Sequence, residues 1–172
     1  MRTHYNRETS MPELTHIDDH GRVRMVDVTE KTPTQRTAVA QATIHMAAET
    51  VERILSGSIY KGNVLETARI AGIMAAKKTA DLIPLCHPLK LTHVQVDFFP
   101  DVSGRVIRIE SKARIIDQTG VEMEALTAAA VAALTLYDMC KAIDKAMTIS
   151  DICLLEKTGG KSGRFSRPVD RP

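Results

Sequence analysis

The segment "GVEMEALTAAAVAALTLYDMCK" (120–141) places Glu122 and Glu124 at one end of a run of small apolar residues and Asp138 and Lys141 at the other. At 3.6 residues per turn, Thr127, Val131, Leu134, Asp138 and Lys141 form one helical stripe. The closing charges therefore continue an apolar face and are expected at the rim of a buried surface. A partly desolvated carboxylate beside a cation can move a proton while the cation holds an anion. The plainer reading is an i, i+3 ion pair near a helix end, worth roughly 0.2–0.5 kcal/mol, with Lys141 also favoured by the helix dipole. Glu122 and Glu124 have the same two readings, as first-turn carboxylates that compensate the dipole or as proton-shuttling groups.

Two further segments carry chemistry. In "LIPLCHPLKL", Pro84 and Pro88 impose an extended, non-helical course and hold Cys86 and His87 between them at the approach to a strand. Adjacent Cys and His invite zinc binding or a Cys-His nucleophile, but neighbouring side chains point apart and no second pair has ligand spacing. Hydrogen bonding from His87 to a polar ligand is the reading favoured here. In "KTGGKSG" (157–163), the first glycine of a phosphate loop would have to be residue 155, which is Leu155, so the tract is not a Walker motif. Lys157 and Lys161 among glycines can still wrap an anion, or lie on a solvated tail.

The elements that would position these residues follow from hydrophobic periodicity. Residues 37–46 alternate as a half-buried strand. "AAETVERILSG" reads as a short helix, and a second begins after Asn63 as N-cap, with Val64, Ala68, Ala71, Ala75 and Thr79 along one face. "HVQVDFF" and "RVIRIESKARII" form a hairpin across "PDVSG". A long helix spans about 121–146, and "ISDICLLEK" closes the order as a strand. This β-α-β-β-α-β pattern predicts an α+β, ferredoxin-like sandwich, an antiparallel sheet with helices packed on one face. The expected organisation is a flexible lead-in (1–13), one catalytic domain (14–163) and a flexible tail (164–172).

The charge balance, 23 Lys plus Arg against 21 Asp plus Glu, gives +2 overall and no broad field for nucleic acid or an anionic membrane. Any anion site must be built locally. Three cysteines without C-x-x-C spacing, no secretory leader pattern, and an uncharged run (125–137) shorter than a bilayer span suggest a soluble cytoplasmic protein. A ferredoxin-like sheet can also bind RNA, but only Phe98 and Phe99 lie on the middle strands and no RNP-like sequence is present. A non-catalytic ligand-binding domain is a second alternative on fold alone.

Four segments, "MVDVTEK", "KGNVLETARIAGIMAAKKTADLIPLCHPL", "QTGVEMEALTAAAVAALTLYDMCKA" and "KTGGKSG", together closely resemble the MoaC family, the cyclic pyranopterin monophosphate synthases of molybdenum cofactor biosynthesis. The resemblance runs from about Leu14 to Gly163. It implies a lyase that rearranges a cyclic dihydro-GTP intermediate and releases pyrophosphate. By resemblance, Asp138 is the catalytic acid or base and Lys141 its neighbour. Leu85, Cys86, His87, Met123 and Glu124 line the substrate site, and Lys61, Lys157 and Arg36 are candidates for the polyphosphate; the residue reading adds Lys161 to these cations and Glu122 to the substrate-binding set. No obligatory organic cofactor is implied, and Mg²⁺ accompanying the triphosphate is compatible with the chemistry. The family further implies a hexamer, a trimer of dimers, with sites at subunit boundaries.

Overall fold

The computed structural model describes residues 20–168, so the expected lead-in and the last four residues lie outside it. The chain order is β1 (Thr34–His45), α1 (Ala48–Leu55), α2 (Val64–Ala76), α3 (Thr79–Leu82), β2 (His93–Asp101), β3 (Val106–Asp117), α4 (Glu122–Cys140), β4 (Thr148–Thr158) and β5 (Phe165–Ser166). The strands form one sheet in the order β2-β3-β1-β4-β5, antiparallel at every pairing. This is the split arrangement expected of a ferredoxin-like sandwich.

Strict alternation sets the two sheet faces. Ala38, Ala40, Ala42 and Ile44 of β1 and Ile107, Ile109, Ala113 and Ile115 of β3 are buried beneath the helices, while Arg108, Glu110, Lys112 and Arg114 lie on the opposite face. Alanine at three β1 positions lets α4 approach the sheet closely. Ser111, among the buried positions, donates from Oγ to the Ala125 carbonyl at 2.6 Å, tying β3 to α4. Phe98 packs against the core from β2, whereas Phe99 faces outward beneath the Arg108 guanidinium, 4.0 Å from its ring centre. The open sheet face therefore does not present the pair of aromatic platforms that RNA stacking calls for.

The Asn63 cap forms as expected, its side chain accepting from the Glu66 backbone N–H at 3.1 Å. Helix α2 then crosses α4 at Gly72, where an added Cβ would stand 2.8 Å from the Ala128 carbonyl oxygen. Only a residue without a side chain permits this separation.

Several boundaries differ from the sequence reading. The final helix ends at Cys140 rather than near 146, because Asp144 turns the chain back: its carboxylate accepts from the backbone N–H groups of Ala47 and Ala146 at 2.8 and 3.1 Å. The run 79–82 forms a separate helical turn, α3. Residues 83–86 form a turn, closed by the Cys86 N–H on the Ile83 carbonyl at 3.0 Å, so the extended course begins only at His87. Within the segment read as tail, Phe165 and Ser166 pair with Lys157 and Glu156 as β5.

The stripe Thr127–Val131–Leu134–Asp138–Lys141 also lies differently. Helix α4 buries ten of its nineteen residues, but chiefly along Ala125, Ala128, Ala129, Ala132, Leu136 and Met139. Thr127 is buried, but Val131 is half-buried, Leu134 is 58% exposed and Asp138 is exposed, so the stripe emerges onto the open side of the helix toward its C-terminal end. By length and composition α4 resembles a membrane span, yet its apolar face is occupied by the sheet and α2.

Candidate functional site

The N-terminal end of α4 opens into a hollow of about 280 Å³. Leu85, Cys86 and His87 form one side, Glu122, Met123 and Glu124 the other, and Val26, Val28 and Lys31 approach from a third. His87 Nε2 donates to the Val26 carbonyl at 3.0 Å. A carbonyl only accepts, so Nε2 carries the proton, and in the neutral ring Nδ1 is left as an acceptor. The sequence reading of 25–31 identified the motif without giving Val26, Val28 or Lys31 a role. Val26 acts through a backbone oxygen, which leaves no side-chain signature.

Burial dominates the electrostatics of this hollow. Glu124 is 3% exposed. Its burial, together with the nearby Glu122 charge, raises its pKa to about 7 against the opposing pull of its own backbone N–H. Burial also raises the Cys86 pKa, with a smaller contribution from Glu124, so the thiol is held protonated and is a poor nucleophile. Among the described residues no group of three or more His, Cys, Asp or Glu is arranged to hold a metal.

Two cations stand beside the same helix end. Arg36 leaves β1 with Nε donating to the Asp117 carbonyl at 2.9 Å and Nη2 to the Gln118 carbonyl at 2.8 Å. Lys157 lies opposite Ala38 in the β1–β4 register and so on the helix side of the sheet, 3.6 Å from Glu122 and hydrogen-bonded to Ser162. Both border a narrow cleft at Gly120, Val121 and Glu122, of which Gly120 and Glu122 also line the larger hollow. Gly160, at φ +73°, packs where an added Cβ would lie 2.3 Å from Arg36 Nη1. Lys161 is exposed in the following turn, away from the hollow's lining.

The opposite end of α4 holds the second group. Lys141 Nζ lies 2.7 Å from Asp138 Oδ1, and Lys61 Nζ lies 3.5 Å from Asp138 Oδ2 while donating to the Asp138 carbonyl at 2.9 Å. Lys141, through its hydrogen bond and then its charge, holds the Asp138 carboxyl below the ordinary range, with Lys61 assisting. Asp138 in turn raises the Lys141 pKa. The two acidic sites of α4 are thus tuned in opposite directions, a pattern that separates a proton-holding carboxyl from an ionised one.

Within one chain these groups do not meet. Glu124 and Asp138 are fourteen residues apart on α4, which at 1.5 Å per residue is about 21 Å. The structure brings Leu85, Cys86, His87, Glu122, Met123, Glu124, Arg36 and Lys157 together, and separately Lys61, Asp138 and Lys141.

The fold and these groups define a ferredoxin-like α+β protein with carboxylates and neighbouring cations gathered at both ends of its central helix. Residues 25–160 match the MoaC family model, and the chain belongs to that family. A relative named cyclic pyranopterin monophosphate synthase from Desulforapulum autotrophicum is 64% identical over 155 residues, covering 90% of this chain and 95% of the relative. Relatives of the same name from Desulfatibacillum aliphaticivorans and a Roseiflexus species are 61% and 59% identical, each alignment covering 90% of this chain and 98% of the relative.

Proposed function

We propose that the protein is a cyclic pyranopterin monophosphate synthase, a lyase of molybdenum cofactor biosynthesis that rearranges a cyclic dihydro-GTP intermediate and releases pyrophosphate. Identity of 59–64% to relatives of that name over 90% of the chain carries this reading. In the phosphate step a substrate hydroxyl oxygen bonds to the innermost phosphorus, the bond from that phosphorus to the bridging oxygen breaks, and pyrophosphate departs with its electron pair. The hydroxyl proton needs an acceptor and the leaving group needs cations. Asp138 and Lys141 are the catalytic pair. Leu85, Cys86, His87, Met123 and Glu124 hold the ring system, Glu124 as a second proton carrier poised near neutrality. Arg36, Lys157, Lys61 and Lys161 serve the polyphosphate, with Glu122 orienting Lys157 and Mg²⁺ accompanying the phosphates.

The 21 Å separation on α4 is bridged by a second copy of the chain. An antiparallel pairing of two α4 helices about a two-fold axis beside Val131 sets the Asp138 end of one against the Glu124 end of the other. The apolar stripe through Val131 and Leu134 is then covered, giving a self-complementary contact. Three such dimers make the hexamer, a cytoplasmic assembly. Incubation with the cyclic dihydro-GTP intermediate tests the activity: one pyrophosphate is released per product, whereas a ligand-binding domain would bind the intermediate and release none.

A further inference from the structure

Behind the His87 wall lies a second hollow of about 310 Å³, between the end of α2, α3 and residues 87–90. It shares His87, Leu89 and Glu124 with the first hollow. Three of its lining residues are cations from two separate segments, Lys77 and Lys78 from the α2–α3 junction and Lys90 from beyond Pro88. Lys77 is the C-cap of α2, where the dipole favours a cation, but this does not account for Lys90. None of the three makes a side-chain hydrogen bond or ion pair with a described residue, and neither does Asp81 beside them. The three lysines are exposed and outnumber the two carboxyl residues of the lining, Asp81 and Glu124, so the hollow presents ammonium groups that an entering anion can pair with.

We propose that this hollow is a separate anion site that takes pyrophosphate as it leaves the reacting centre. The site is built from Lys77, Lys78 and Lys90, with Glu124 and His87 as the partition between the two hollows. The identity of the anion rests on the function proposed above; the existence of the site does not. Three ammonium groups from two chain segments suit a compact, highly charged diphosphate, and a volume at the small end of ligand sites suits it better than a whole nucleotide. Passage across a shared wall would carry the leaving group away from the attacking oxygen without its returning past the polyphosphate cations at Arg36 and Lys157.

Calorimetric titration with inorganic pyrophosphate at physiological salt tests the site without turnover. The double variant Lys78→Gln/Lys90→Gln is expected to weaken binding roughly tenfold or more, or to remove one class of sites. Lys112→Gln/Arg108→Gln, which removes the same charge from the open sheet face, is expected to leave binding within about twofold. Absence of pyrophosphate binding by the unaltered protein, equal weakening in both double variants, or loss confined to Arg36→Gln/Lys157→Gln would overturn the proposal. Pyrophosphate binding lost in Lys78→Gln/Lys90→Gln, in a protein that turns over no cyclic dihydro-GTP, would instead overturn the assigned reaction and leave the anion site standing.

Discussion

Replacing Glu124 by Gln removes a charge the fold holds at a cost and should stabilise the protein in a pH-dependent way. The Glu124 pKa rises from an ordinary 4.5 to about 7, with burial the first cause. At roughly 1.4 kcal/mol per pH unit, that gap corresponds to about 3 kcal/mol. The folded chain binds this proton more tightly than the unfolded chain. Its contribution is therefore fully favourable below pH 4.5, declines as pH rises from there, and is lost above about 7. The amide mimics the neutral acid and has no such loss. For a chain of this size 1 kcal/mol moves the melting temperature by about 2–4 °C, so most of the effect, between pH 5 and 8, amounts to roughly 5–10 °C. Thermal melts of the two proteins at several pH values should show the advantage of Glu124→Gln growing by that amount. A difference in melting temperature that stays constant from pH 5 to pH 8 would refute the assignment of a buried, near-neutral carboxyl.

Three further perturbations separate the parts of the site. Asp138→Asn and Lys141→Ala should each lower product formation by at least about a hundredfold with unchanged circular dichroism, because the pair is exposed and its loss costs chemistry rather than packing. Near-normal turnover in both would reduce the pair to a surface ion bridge. Gly160→Ala meets the Arg36 guanidinium, and its expected signature is a raised KM for the triphosphate with kcat changed by less than about threefold; a fall in kcat alone would contradict the polyphosphate role of Arg36. Gly72→Ala forces α2 away from α4, a clash costing about 1–3 kcal/mol against a helix-propensity gain of about 1 kcal/mol. Denaturant unfolding should show net destabilisation or near-neutrality, and clear stabilisation would show that the helices can separate freely.

Much of the fold was legible because local chemistry and long-range pairing agree. The alternation of 105–116 specifies which face of β3 is buried, and Asn63 announces the start of α2 through its own hydrogen bond. The unforeseen features depend on tertiary partners. Helical periodicity continues past Cys140, but Asp144 captures backbone N–H groups on either side of the turn and ends α4 there. The α3 turn, the turn at 83–86 and the pairing of Phe165 with Lys157 carry equally little pattern of their own. Periodicity also defines stripes without saying which meets the chain's own sheet: the alanine stripe of α4 took that place, leaving Leu134 and Asp138 on the outside. The candidate residues were recognisable one by one, while their division between the two ends of α4 required the position of the helix in space.

That division gives the most direct test of a site shared between two copies. Unfolded subunits of Asp138→Asn and His87→Ala, each inactive alone, are mixed in equal amounts and refolded together. If Asp138 of one chain serves the His87 hollow of another, half of the dimers are mixed and each contains one intact site, so about a quarter of unaltered activity should return. No recovery from co-refolded subunits, with mixed assemblies verified by mass spectrometry, would contradict the shared site.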